Sequence, residues 1–468
     1  MSTTAMRSSE EQHKLQRELA DKITSNAPLD EIRILLACGA KPSEAVTQGL
    51  RPLHYACYRD YEDAVRLLLL RGALVDALDE VGYSPLHLCA EHGNYQLIEL
   101  LLKYMARVCF VDPEKETSLF PRAYKCEEPL RLAIKHGHYD CARLLLEHGA
   151  NPNARYFYGS EITQVRSTDI EFVKLLLMFG ADPNVYDRDG LTPLMKACRH
   201  REKGLPAVKL LLEYDADINA LAMPKQDLRT PLHYAVLSGS SALVDYLLEH
   251  GANVNMPSDY DKPAPLDLAV LKDDPDLVTK LIKWGASPNA IYTYIGSALH
   301  LASCSNLVNQ YEIIEILLRA GADVNLTHCF SEGGVLKSPM VEYFRSRDEV
   351  DPRVVKLMFA YGGKAIMKSP ISDARGQLRN LLKVHRTQPG VFVQLASMGE
   401  QFDALTVQRL PFPLETRMRL LQQAVSAPSL QHLCRLRLRS LLSPLRPEKL
   451  QDLPLPKQVM EYVLGAPY

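Results

Sequence analysis

Thr230-Pro231-Leu232-His233-Tyr234-Ala235 begins a stretch that closes on Leu247-Leu248-Glu249-His250-Gly251-Ala252-Asn253-Val254-Asn255, and its reading decides the fold. Thr230 is placed as a helix N-cap, its hydroxyl offered to free backbone N–H groups. Pro231 follows at the first helical position, where a missing N–H costs nothing. Leucine and alanine then face inward. A second helix brings its own apolar stripe, as Leu97, Ile98, Leu101 and Leu102 do elsewhere in the chain. Gly251 suits the left-handed position that ends such a helix, and Asn253-Val254-Asn255 onward would form a projecting hairpin.

The same phrase recurs along the chain. Arg51-Pro52-Leu53-His54 and Ser84-Pro85-Leu86-His87 repeat it, with variants at Thr192-Pro193-Leu194-Met195 and Ala264-Pro265-Leu266-Asp267. Pro52 and Pro85 lie 33 residues apart, and Pro231 and Pro265 lie 34 apart. Leu-Leu-x-x-Gly-Ala follows at Gly72, Gly149, Gly251 and Gly321, and the series continues through Gly39, Gly180, Gly285 and Gly362 if Met105 and Asp215 substitute for glycine. This resembles the ankyrin repeat, with its period near 33 and its T-P-L-H-x-A motif. The resemblance covers residues 14–367, about ten repeats with degenerate first, fifth and last copies. It implies an all-α helical repeat solenoid with projecting β-hairpin loops, in which no copy buries its apolar face alone. Insertions are expected near Val108 to Cys126, Lys203 to Pro206 and Leu221 to Asp227, and the fifth copy carries Gly159-Ser160-Glu161-Ile162 in place of the motif.

The chain has 468 residues, 47% hydrophobic and 24% charged, the composition of a globular protein of more than one domain. The first fifteen residues hold no apolar core, so no secretory leader is expected. No apolar run approaches the roughly 18 residues of a membrane span. Ten cysteines without a C-x-x-C fit neither a disulfide framework nor a zinc ribbon. The expectation is a reduced intracellular chain, cytoplasmic or also nuclear. The net charge of −2 hides an asymmetry: Lys368 to Tyr468 carries 14 basic against 7 acidic residues. The domains expected are a disordered start at 1–13, the array at 14–367, a bridge of two or three short helices at 368–427 and a distinct element at 428–468.

That last element reads Ser429-Leu430-Gln431-His432-Leu433-Cys434-Arg435-Leu436-Arg437-Leu438, later Leu453-Pro454-Leu455-Pro456-Lys457-Gln458-Val459-Met460-Glu461-Tyr462. With Leu430 at zero and about 100° per residue, Leu433, Cys434, Leu438 and Leu441 fall at about −60°, 40°, 80° and 20°. This is an apolar stripe on a helix begun by Ser429 and stopped before Pro444. Arg437 falls inside it and must send its charge to water. So short a helix needs a groove, either a partner's or the surface of the last repeat. The two prolines after Leu453 and Leu455 hold those leucines extended for a partner.

Both parts together resemble a SOCS box, and the whole chain is similar to the ankyrin-repeat and SOCS-box protein family. The resemblance implies a non-catalytic substrate receptor of a cullin–RING ubiquitin ligase, with no cofactor and no metal. Elongin B and elongin C would be recruited through Leu430, Leu433, Cys434 and Leu438. Cullin-5 with its RING partner would be oriented by Leu453, Pro454, Leu455, Pro456, Val459 and Tyr462. The array would hold the protein to be ubiquitinated. The other reading is an ankyrin scaffold without a ligase.

Several hairpin tips are aromatic: Tyr156, Phe157, Tyr158, Tyr186, Tyr260, Tyr292 and Tyr294. Such rings suit substrate recognition, or they pack on neighbouring hairpins. Sharper chemistry does not survive the repeat. His136-Gly137-His138 with Cys141 aligns with the turn at His92-Gly93, and His54, His87, His233 and His300 open repeat helices as structural residues. Gly362-Gly363-Lys364 lacks the flanks of a phosphate loop. Arg435, Arg437, Arg439 and Lys449 have no interleaved aromatics, which argues against nucleic acid.

Overall fold

The computed structural model describes residues 3–110, 127–156, 158–257, 260–292, 295–330, 333–426, 429–441, 447, 450 and 456–464. Helices dominate, and each sheet among the described residues has two short strands. The chain divides between Pro231 and Leu232 into two units.

The first unit is built of helix pairs. Thr3–Thr24 pairs with Leu29–Ala37, Pro52–Tyr58 with Glu62–Leu70, Pro85–His92 with Tyr95–Lys103, and Pro129–Lys135 with Tyr139–Glu147. Glu161–Gln164 precedes Ile170–Met178, and Pro193–Cys198 precedes Leu205–Glu213. First helices pack on first helices and second on second, so Ala56, Ala90 and Ala133 lie fully buried alongside Leu53, Leu86, Leu97, Ile98 and Leu101.

The opening helix begins at Thr3, inside the stretch expected to be disordered. Its anchorage is physical: Leu19 and Ile23 are fully buried, and the Gln16 amide donates to the carbonyls of Lys41 and Glu44 while accepting the Lys41 N–H. The fifth pair's first helix is a single turn, preceded by the hairpin Arg155–Tyr156 with Gly159–Ser160. The insertions near 203 and 224 form the turns Arg201–Gly204 and Pro224–Gln226. The one expected at 108–126 lies largely outside the described residues.

The second unit, from Leu232 on, holds the rest of Pro231–Ser238 paired with Ser241–Glu249, then Pro265–Leu271 with Pro275–Lys283, Ala298–Cys304 with Gln310–Arg319, and Pro339–Ser346 with Pro352–Ala360. Four helices follow where two or three are expected: Leu381–Thr387, Pro389–Ser397, Ala404–Arg409 and Leu414–Val425. They are tied to the last pair by long-range contacts. Gln388 both accepts from Val350 N–H and donates to its carbonyl, Phe392 is buried against Phe412 and His385, and Ile366–Met367 pairs in parallel with Gln401–Phe402.

The repeat chemistry appears as local geometry. The Thr192 hydroxyl accepts the Met195 N–H at 3.4 Å, and Ser84 does the same for His87. Met105 and Asp215 occupy the glycine position with φ of 63° and 59°, a conformation that costs a side chain about 1 kcal/mol. His54 accepts the Arg51 N–H and reaches the Tyr83 carbonyl, while His300 links Ser297 to Lys337. Burial pushes His87 and His300 down to about 4, so they are neutral structural rings.

Asparagines stitch successive hairpins. Asn255 donates to the Gly285 carbonyl at 2.9 Å and accepts the Ser287 N–H at 2.9 Å. Asn153, Asn184, Asn289 and Asn325 make the equivalent pair one repeat on. Asn289→Ala therefore lowers stability by about 1–2 kcal/mol, since two exposed bonds go. Urea unfolding, with faster hydrogen exchange in Gln310–Arg319, checks this.

Candidate partner-binding surface

The helix Leu430–Leu441 begins where Ser429 accepts the His432 N–H at 3.2 Å. Its faces are inverted relative to an ordinary amphipathic helix. Arg435 and Arg439 are only 6% and 7% exposed, whereas Leu433 is 47% and Leu441 64% exposed. Cys434 is a free, exposed thiol, and Arg437 is exposed beside it. Leu438 turns the other way and packs with Val459 and Leu464 against the buried pair Leu450 and Val463. The terminal helix Lys457–Leu464 thus folds back on the first, and Pro456 ahead of it is exposed.

Among the expected contact residues, the structure therefore presents Leu433, Cys434 and Pro456 outward and leaves Leu438 and Val459 half-buried against the small core of this element. Leu453, Pro454 and Leu455 lie outside the described residues, and of Leu430 and Tyr462 only the backbone is described. The outward Leu441 extends the stripe. The sequence reading did not anticipate that Arg435 and Arg439 point inward. Their positions, at about 140° and 180° from Leu430, were the available signal.

The hairpin tyrosines do not form one exposed row. Tyr156 is 7% exposed, with the Arg131 guanidinium 4.9 Å from its ring centroid and the buried Glu161 beside it. Arg131 pairs with Glu161 at 3.3 Å, and burial pushes that carboxyl up to about 7. Tyr260 is equally buried, its hydroxyl 3.3 Å from His233 Nε2. Tyr292 rests edge-on against Tyr260, and its hydroxyl accepts the Met256 N–H. These three rings brace neighbouring hairpins.

Tyr158 and Tyr186 do face solvent, at 56% and 36% exposure. Arg188 lies over the Tyr158 ring, and the Tyr186 hydroxyl donates to the Leu221 carbonyl at 2.9 Å. Phe157 and Tyr294 lie outside the described residues. Exposed Leu74, Leu78 and Val81 on an earlier hairpin of the same unit went unnoticed. Apolar residues at a normally polar tip were the signal for them. No helix of the described residues is long and apolar enough to cross a membrane.

Ankyrin-repeat models match residues 23–113, 163–258 and 229–292 in runs of repeats and 128–156 and 297–329 as single copies, and a SOCS box model matches 426–464. The chain is 28% identical to human "Ankyrin repeat and SOCS box protein 16" over 279 residues, 57% of this chain and 51% of that one. It is 30% identical to the mouse "B-cell lymphoma 3 protein homolog" over 204 residues, 44% of this chain and 43% of the relative. It is also 32% identical to human "Inversin" over 223 residues, covering 47% and 20%. The chain thus spans about half or less of the length of the curated relatives it matches. With ankyrin repeats through its helix pairs and a SOCS box after them, the chain belongs to the ankyrin-repeat and SOCS-box protein family.

Proposed function

We propose that the chain is the substrate-binding subunit of a cullin–RING ubiquitin ligase. Its box takes up elongin C with elongin B and, through them, cullin-5 and a RING protein, while hairpins of the repeats hold the protein to be modified. The observation that carries this reading is the inverted helix. A helix that buries two arginines and leaves Leu433, Cys434 and Leu441 in water is costly by itself. A groove that covers the apolar stripe offsets that cost. Leu430 would enter the same pocket as Cys434, and Leu453 to Pro456 with Tyr462 would face the cullin. The sign of the exposed arginine, Arg437, suits an acidic rim around that groove.

No bond is made or broken by this chain. Its contribution is to raise the effective concentration of a target lysine near a ubiquitin-loaded enzyme, converting a bimolecular encounter into one within a complex. On the substrate side, the reading assigns contact to Tyr158 and Tyr186, rings that cover area with little rotamer entropy. Tyr158→Ser with Tyr186→Ser is expected to weaken target capture at least about tenfold while leaving elongin capture unchanged and lowering stability by no more than about 1 kcal/mol, the loss of the exposed Tyr186 bond to Leu221. Tyr156→Ser instead lowers stability, because it empties the space under Arg131. Comparing proteins trapped by each variant under proteasome block, beside thermal unfolding curves, checks both. Equal unfolding of the Tyr158/Tyr186 variant would overturn the assignment.

A further inference from the structure

Arg439 joins three parts of the second unit through backbone carbonyls. Its guanidinium donates to Val463 O at 2.9 Å, Phe359 O at 3.0 Å and Gly363 O at 2.9 Å. Phe359 belongs to the Pro352–Ala360 helix of the last repeat pair and Gly363 to the turn that closes it. Val463 lies at the end of Lys457–Leu464, and Arg439 itself sits on Leu430–Leu441. The cation thus meets the negative ends of two helices, and its planar fork adds a charged donor to their carbonyls, of which Phe359 O also accepts the Gly362 N–H. Arg435, one turn earlier and equally buried, and Glu400 complete the charged surroundings. Burial lowers Arg439 to about 10, so it stays charged at neutral pH.

A buried guanidinium here is a specific device. An apolar side chain would serve burial better, because charged groups cost several kcal/mol to desolvate and repay it only through good bonds. What the three bonds add is geometry, because they fix the direction of one helix against two others. Transfer by proximity depends on geometry: a hinge at this point spreads the target lysine over a larger volume and lowers its effective concentration.

We propose that Arg439 is a positioning residue, bolting the partner-binding helix to the last repeat pair so that the box and the end of the array move as one body. The consequence for ubiquitin transfer rests on the ligase reading above; the mechanical role does not. The test places a donor dye at exposed Lys356 and an acceptor at exposed Gln458, through encoded handles, on the full chain alone and with elongins B and C. A lysine-bearing tag inserted at the Gly333 turn serves as the ubiquitin acceptor in the assembled ligase. Wild type is expected to give one narrow transfer-efficiency peak. Arg439→Met broadens it and reduces tag modification about tenfold, with elongin capture changed by no more than about twofold. Arg439→Lys, which keeps a charged donor, folds and restores part of both readouts; if the Met variant fails to fold, Lys against wild type decides. A peak as narrow as wild type with unchanged tag modification overturns the proposal. Failure of wild type to hold elongins overturns the ligase reading, while the dye measurement on the chain alone still decides the role of Arg439.

Discussion

Leu430→Asp together with Cys434→Asp is expected to abolish capture of elongins B and C while the chain unfolds at the same temperature as wild type. The size of the effect follows from the helix's inside-out character. If Leu430 and Cys434 each anchor the partner by roughly 2 kcal/mol, two carboxylates placed in an apolar groove weaken binding by about a thousandfold or more. The chain itself loses little, because the Cys434 side chain already stands in water. Leu438→Asp provides the contrast. Leu438 packs on Leu450 and Val463, so a charge there unfolds the box before any partner arrives. A pull-down beside a thermal melt separates the two variants, and elongin retention by the double variant refutes the pocket assignment.

Asp267→His is the second large effect, and it strengthens the protein. Where four other copies carry histidine, the eighth carries Asp267, which accepts the Ala264 N–H at 3.0 Å but is almost fully buried. Burial pushes its carboxyl up to about 7. A carboxyl raised above its unfolded value stabilises fully below about pH 4, and that contribution is lost as pH rises through 4 to 7. Each unit is worth about 1.4 kcal/mol, so after local relaxation we expect Asp267→His to gain about 2 kcal/mol at pH 7.5. The new ring can cap residue 264 and reach the following hairpin, as His54 and His300 do. Its sign is opposite: His300, lowered to about 4, loses its contribution as pH falls from 6.5 toward 4. The variant's advantage therefore shrinks on acidification, from its full size above pH 7 through pH 5 and on toward pH 4. Urea unfolding at pH 7.5 and pH 5 checks this, and an advantage independent of pH contradicts it.

Much of this was readable from residue order. Proline, glycine and leucine spacing located the helix pairs, because caps and helix ends are local chemistry. Even the substitutes Met105 and Asp215 were identified, and both adopt positive φ. The terminal helix was legible for the same reason, since about 100° per residue is a property of one helix alone, but Leu438, placed on its apolar stripe, packs on Leu450 and Val463 instead. What escaped depended on distant partners. Whether a hairpin tyrosine faces in or out is set by what stands across from it: Arg131 and Glu161 draw Tyr156 inward, and His233 draws Tyr260. Nothing near Ile366 announces that it pairs with Gln401, or near Arg439 that its acceptors lie 76 and 80 residues upstream. The start of the opening helix, before residue 14, was missed because that stretch is polar, whereas the side chains that dock the helix, Gln16, Leu19 and Ile23, fall inside the expected array.

The central claim is that the exposed face of Leu430–Leu441 is an interface awaiting a partner. Mixing the purified full chain with the elongin B–elongin C dimer and measuring molar mass by light scattering on a sizing column tests it most directly. The account predicts a single 1:1:1 complex, with slowed hydrogen exchange across Leu430–Leu441. Separate elution of chain and dimer at micromolar concentration, with exchange in that helix unchanged, would contradict it.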